Sequence, residues 1–246
     1  VFAWQPGFHD GPSTNAITVI VTDNGIPPLS ASQTFNVVVR KAQAEITLLA
    51  GSTNVLAGGA SVVPLTLVGD PDATQITVTL DVPADRLGDL TLQSLGADVV
   101  SASLTPDGGD LSILQFNLSG AAVDATRSLG QLGFTALANA YSAVVPLNLS
   151  DLAGQSATSV YTNTLAEGGT VIVIGAEPVL TGNNLPPSLT VFGQPGMSYS
   201  LDTPSHLEPP VTWTPFGTVS IGAGTTFQTV PLNPTNKAGY FRAHTP

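Results

Sequence analysis

The stretch from Ile17 to Arg40 constrains this chain more than any other. Ile17, Val19 and Val21 alternate with Thr18, Ile20 and Thr22, and Phe35, Val37 and Val39 alternate with Asn36, Val38 and Arg40. A period of two sends successive side chains to opposite faces, which is the mark of a β-strand. Between the two runs lies TDNGIPPLSAS. Asn24-Gly25 alone would favour a two-residue hairpin turn. Pro27 and Pro28 have no N–H to give a ladder, so the connection must be a longer loop. Phe2, Trp4 and Phe8 are expected to pack beneath this sheet.

The same alternation recurs along the chain. Strands are expected at Glu45–Leu49, Ser61–Val68, Gln75–Val82, Leu90–Leu95, Val99–Leu104, Leu111–Leu118, Gly130–Ala138, Ala143–Leu149, Thr158–Leu165 and Thr170–Ile174. Turn signals separate them at Gly58-Gly59, Asp70-Pro71-Asp72, Asp107-Gly108-Gly109-Asp110 and Gly168-Gly169. This spacing predicts a β-sandwich of about nine strands. Val123–Leu132 carries no clear period and reads as a loop or one helical turn. Beyond Glu177, short strands are expected at Leu189–Val191, Tyr199–Leu201, Val219–Ile221, Phe227–Val230 and Tyr240–Ala243. Residues 40–45 read as a linker.

Composition agrees with an all-β chain. Charged residues are only 9% of the 246, against roughly 25% in typical soluble domains. Exposed strand faces must then be covered by Thr, Ser, Asn and Gln, and Thr suits a pleated surface. The 42% apolar content argues against disorder. A net charge of −11 with six Lys and Arg excludes a nucleic-acid binder, which needs clustered cations. The absence of cysteine excludes thiol catalysis and Cys-ligated metal. No apolar run reaches the roughly 18 residues of a membrane span.

Three resemblances follow from particular motifs. Phe2-Ala3-Trp4-Gln5-Pro6, Asp23-Asn24-Gly25-Ile26-Pro27-Pro28-Leu29-Ser30 and the following Thr-Phe-x-Val-x-Val resemble the last strands of bacterial cadherin-like and immunoglobulin-like repeats. Such a module takes about 100 residues and seven strands, so the chain is expected to begin inside one. Gly59-Ala60-Ser61-Val62-Val63-Pro64-Leu65-Thr66-Leu67, Ile76–Leu87, Leu129-Gly130-Gln131-Leu132-Gly133-Phe134 and Glu167-Gly168-Gly169-Thr170-Val171-Ile172-Val173 resemble strands of cohesin-like jelly-roll domains. Gly193-Gln194-Pro195-Gly196, Tyr199-Ser200-Leu201, Trp213 and the terminal Tyr240-Phe241-Arg242 resemble a small C-terminal β-module of large secreted bacterial proteins. The expected architecture is therefore all-β, with tandem sandwich modules at 1–42, 43–175 and 176–246.

Candidate chemistry is sparse. His9, His206 and His244 have no metal-ligand spacing, and Ser205-His206 lacks an orienting third group. Gly222-Ala223-Gly224 is followed by no helix, as a phosphate loop requires. An enzyme is not expected. Calcium, which takes six to eight oxygens, is the leading ligand-ion expectation. The resemblance implies Asp23 as a ligand, with Asn24 beside it. Asp70 with Asp72 and Asp107 with Asp110 are further oxygen pairs. Bonding their own backbone in a turn is the reading favoured over calcium for each of these acids. Trp213, Tyr199 and Tyr240 could stack on sugar rings or fill a small core. Asn117 and Asn148 head glycosylation triplets but lie in expected strands.

The expected role is a non-catalytic portion of a large secreted or cell-surface bacterial protein, serving adhesion, matrix association or domain display. Its partners would be an extracellular protein or a polysaccharide, together with upstream β-modules of the same chain. The alternatives are a carbohydrate-binding accessory region of a polysaccharide-degrading enzyme, or a cohesin-type scaffold that binds a dockerin.

Overall fold

A computed structural model describes residues 3–4, 12–39, 45–120, 122, 124–138, 141–204, 206, 208–232 and 239–246. Every regular element in it is a strand. The first two, β1 (Ser13–Thr22) and β2 (Ser30–Val39), pair antiparallel from Ser13↔Val39 to Thr22↔Ser30. Asp23 N donates to Leu29 O at 2.9 Å and closes the long Pro-containing loop. One face of the hairpin gathers Ile17, Val19 and Val21 opposite Phe35, Gln33 and Ala31. The other carries Thr18–Thr34 and Thr22–Ser30 hydroxyl pairs at 2.9 and 2.7 Å. No further strand joins this pair among the described residues. Val19, Val21 and Phe35 consequently remain exposed. Trp4, expected under this sheet, is also exposed. Phe2 and Phe8 lie outside the described residues.

The central sandwich holds β3 (Ile46–Ala50), β4 (Thr53–Leu56), β5 (Ala60–Gly69), β6 (Ala73–Asp81), β7 (Leu87–Gln93), β8 (Val99–Gly108), β9 (Leu111–Leu118), β10 (Thr126–Ala136), β11 (Ala143–Ser156), β12 (Thr164–Glu167) and β13 (Gly169–Ile174). One sheet has the order β12-β3-β5-β10-β7, the other β4-β13-β11-β6-β9-β8. Alternation aims Leu48, Leu65, Leu67, Leu129 and Leu132 of the first at Ile76, Leu80, Leu114, Phe116 and Val171 of the second. All are essentially buried, and full burial of one such side chain stabilises by roughly 1.5–3 kcal/mol.

Two chain segments cross from sheet to sheet side by side. β3 runs into β4, β12 runs into β13, and the two segments are parallel in both sheets. The crossing is tight. A Cβ on Gly169 would stand 1.8 Å from the Gly51 carbonyl oxygen, so glycine is required there. Glu45, at the supposed linker's end, is buried. Its Oε2 accepts from Thr162 N at 2.7 Å and Asn163 N at 2.9 Å, which ties the approach of β12 to β3.

The last elements are β14 (Val179–Asn184), β15 (Pro187–Phe192), β16 (Ser198–Pro204), β17 (Trp213–Ser220), β18 (Phe227–Pro231) and β19 (Arg242–His244). They form two three-stranded sheets, β14-β15-β18 and β17-β16-β19. Leu189, Val191, Tyr199, Leu201, Val219 and Ile221 make the core between them.

Several strand expectations need correction. Residues 126–132 are neither loop nor helix but the first part of β10. The strand expected at Thr158–Leu165 starts only at Thr164, because β11 continues to Ser156 and a turn follows. Thr53–Leu56 and Val179–Asn184 are strands that the sequence did not announce.

Candidate functional site

The acidic loop residues are engaged by backbone amides. Asp23 Oδ1 accepts from Gly25 N at 3.0 Å and from Leu29 N at 2.8 Å. The Leu29 and then the Gly25 hydrogen bond hold its carboxyl below the ordinary Asp value. Asp70 Oδ1 accepts from Asp72 N at 2.9 Å, an Asx turn. Asp110 Oδ1 accepts from Ala84 N at 2.9 Å, and Asp107 stands at the end of β8. Gly108 and Gly109 between them have φ of 93° and 59°, which side-chain-bearing residues rarely adopt. Asn24 is exposed beside Asp23. No three His, Asp or Glu side chains group closely enough to hold a metal ion among the described residues.

The aromatic candidates separate. Tyr199 is fully buried, and its hydroxyl accepts from Gln194 N at 2.8 Å. It has no free ring face, so a stacking role for it is withdrawn. Tyr240 is exposed. Trp213 is half-buried, with the Arg242 guanidinium 4.5 Å from its ring centroid. Arg242 also grips Asp202 Oδ2 through Nε at 3.0 Å and Nη2 at 2.8 Å. His244 Nε2 reaches the same oxygen at 3.1 Å. The Arg242 hydrogen bond is the largest cause of a lowered Asp202 pKa. This cluster fastens β19 to β16, whose register sets Asp202 opposite Arg242. His206 Nδ1 lies 2.9 Å from Glu208 O. His9 and Ser205 lie outside the described residues.

A second ionic group closes one end of the large sandwich. Arg127 is buried and donates to Asp98 Oδ2 at 2.8 Å, with backbone acceptors at Pro71 and Asp70, both at 3.2 Å. Tyr161 Oη lies buried nearby with no partner at full hydrogen-bond distance among the described residues, and burial, followed by the charge and the hydrogen-bond pull of the neighbouring Asp70 carboxylate, pushes its pKa upward. Both groups are closed off by packing.

The outer face of β8-β9-β6-β11 carries a row of polar side chains bonded across four strands. Asn117 Nδ2 donates to Ser101 Oγ at 2.9 Å, Gln75 Nε2 to Asn117 Oδ1 at 3.3 Å, and Gln155 Nε2 to Gln75 Oε1 at 3.3 Å. The register sets Ser103, Gln115, Thr77 in the next row and Thr105, Ile113, Thr79, Ser150 in the one after. None of these side chains is charged. The sequence predicted that they face outward. It carried no signal for the cross-strand ladder, which depends on register.

Solved structures with this kind of sandwich exist. They are cohesins. CaCohA2 from Clostridium acetobutylicum is 17% identical, with 53% of this chain and 91% of that chain covered and a TM-score of 0.43. A non-cellulosomal cohesin from Archaeoglobus fulgidus is 16% identical over 53% of this chain and 91% of that one, with a TM-score of 0.42. The OlpA cohesin of Clostridium thermocellum, solved in complex with Doc918, is 13% identical over 52% and 98%, with a TM-score of 0.46. These likenesses, with TM-scores below 0.5, carry no argument about what this chain binds. No protein-family model matches the chain, and no curated protein matches it. Among the described residues no helix is long and apolar enough to cross a membrane.

Proposed function

We infer that this chain is a non-catalytic stretch of extracellular or cell-surface β-modules whose central sandwich docks a protein partner on the outer face of β8-β9-β6-β11. The uncharged rows of that face carry the reading. A flat face of neutral, mutually bonded side chains loses less on desolvation than a charged one. Its outward groups also retain the donors and acceptors an interface needs, about one hydrogen bond per 100–200 Å². A dockerin-type protein is the partner to test first, because the motifs at 59–67, 76–87, 129–134 and 167–173 resemble those of cohesin-like domains.

The other modules fit this role. The hairpin at 13–39 offers an apolar face and two free edges, as the closing strands of an immunoglobulin-like or cadherin-like module would. The sheets of 176–246 form a small closing sandwich. The test is calorimetric titration against a panel of dockerin domains, with Gln115→Arg as the probe. This substitution places a charge in the middle row while leaving the core alone. Saturable binding that Gln115→Arg abolishes supports the reading. Failure of the whole panel to bind ends its dockerin form. The carbohydrate-binding alternative keeps one specific support, the exposure of Tyr240 and the partial exposure of Trp213. Glycan-array binding lost in Trp213→Ala would favour it instead.

A further inference from the structure

A cavity of about 920 Å³ opens between the central sandwich and the C-terminal sheets. The depressions on the two outer sheet faces measure only about 260 and 130 Å³. Ala57, Ala138 and Tyr141 come from the end of the sandwich, Glu177 from the crossing between the two units, and Pro195 and Met197 from the turn before β16. Cavities of roughly 300–1,000 Å³ hold most organic ligands, and they concentrate where structural units meet.

The walls are pinned across the seam. Gln194 Nε2 donates to Gly175 O at 2.7 Å, and Thr226 Oγ1 to Asn54 Oδ1 at 2.5 Å. Ser142 Oγ accepts from Gly175 N at 2.7 Å and donates to Glu177 O. The Met197 turn is tied down by Ile221 N donating to Met197 O at 2.8 Å. A wall held this way needs little ordering when a ligand enters.

The lining states what the ligand must be. Its long side chains, Tyr141 and Met197, are 73% and 48% exposed at the rim, where a soluble fold gains nothing from them. Ala57, Ala138 and Pro195 make an apolar floor. Among the described residues Glu177 is the one charged residue of the lining, and no basic side chain lines it. An anion would meet only repulsion there. An apolar stem carrying one positive head group matches floor and charge together. The tyrosine ring adds a π-face for the cation, and the net charge of −11 draws cations toward the surface.

We propose that this cavity receives the lysine or arginine side chain of an extended partner peptide, with its stem on Ala57, Ala138 and Pro195 and its head group between Glu177 and Tyr141. The site is distinct from the sheet face, so Gln115→Arg leaves it intact.

The test is an NMR titration of the whole chain with an acetylated, amidated Gly-Lys-Gly peptide, its norleucine counterpart and butylamine. The lysine peptide is expected to shift signals of the cavity residues and to bind more tightly than either control. Glu177→Gln is expected to weaken it about two- to fivefold, the span of an exposed ion pair. Tyr141→Ala is expected to weaken it by a similar factor, roughly that of an exposed cation–π contact. Both residues are exposed, so unchanged melting temperatures verify that the variants fold. Equal binding of the norleucine peptide, or unchanged binding in Glu177→Gln, overturns the cationic site. Butylamine binding as tightly as the lysine peptide overturns the peptide source. Absence of shifts at the cavity with all three ligands overturns the proposal entirely.

Discussion

Replacing Arg127 by methionine would remove one buried guanidinium from the end of the large sandwich and strip four acceptors of their donor. These are Asp98 Oδ2 and the carbonyls of Pro71, Asp70 and Ala73, at 2.8, 3.2, 3.2 and 3.5 Å. Methionine fills much of the same volume, so the loss is electrostatic rather than a cavity. Removing one partner of a buried pair costs about 3–5 kcal/mol, because the other charge stays behind unpaired. Asp98 retains 17% side-chain exposure against 7% for Arg127, so water reaches it in part. The cost should therefore fall at the low end, about 3 kcal/mol. For a domain of this size that lowers the melting temperature by about 10 °C. Urea unfolding at constant m-value reads the free energy. A double-mutant cycle with Asp98→Asn isolates the pair, and a coupling of about 1–3 kcal/mol is expected. A cost below about 1 kcal/mol, or no coupling, would refute the assignment of Arg127 as the clamp on the 70–73 turn.

Gly169→Ala should cost more than about 4 kcal/mol, since its Cβ would lie 1.8 Å from Gly51 O and 2.9 Å from Gly51 C. A wild-type-like melt would contradict the paired crossing. Tyr161→Phe should be neutral or stabilising by up to about 1 kcal/mol, because the hydroxyl it removes is buried with no partner at full hydrogen-bond distance among the described residues; a clear loss in calorimetry would show that the hydroxyl bonds the neighbouring Asp70 carboxylate. Asp202 has a folded pKa below its ordinary 3.8, so its stabilising contribution is complete above that value and disappears as pH falls through the depressed one. Thermal melts from neutral to acid pH should thus steepen below about pH 4, and Asp202→Asn should flatten that limb. Melting in excess calcium and in EDTA should coincide, given that Asp23, Asp70 and Asp110 already bond backbone amides; a calcium-dependent rise would restore the loops as ion sites.

Strands with an undisturbed period were legible in the sequence. From Ile76 onward β6 buries every second residue, as β9 does throughout, and both strands were located to within two residues. The failures have a common cause, which is a broken phase. In β10, Arg127 takes an inward position that a hydrophobic pattern would assign to an apolar residue, and the register shifts between Ser128 and Gly130. A buried cation next to a bulge therefore reads as loop. In β11 the shift between Ser150 and Ala153 lets the strand run on to Ser156, past the point where simple alternation stops. Val179–Asn184 buries no residue fully, so it leaves no pattern to detect. The sheet-face ladder was hidden differently. Gln75, Asn117 and Gln155 lie far apart in the chain, and only pairing brings them into one row.

The scarcity of charge and the placement of the described arginines belong to one physical arrangement. Arg86 faces Asp85 loosely, at 3.8 Å in solvent. Arg127 and Arg242 are instead locked to carboxylates where strands must be fastened, one at the 70–73 turn and one on the short β19. The acids Asp70, Asp72, Asp85, Asp98, Asp110 and Asp124 all sit between strands. Much of the negative charge is thus carried between strands, where it keeps a lightly charged protein apart from its own copies. The rows of the β8-β9-β6-β11 face through Gln75, Thr77 and Thr79 carry no charge, and Asp81 stands at the end of β6 beyond them. On such a molecule an incoming partner meets less repulsion and a smaller desolvation loss on those uncharged rows. For that reason a single charge introduced at Gln115 is a stronger test of docking there than the removal of any one hydrogen bond.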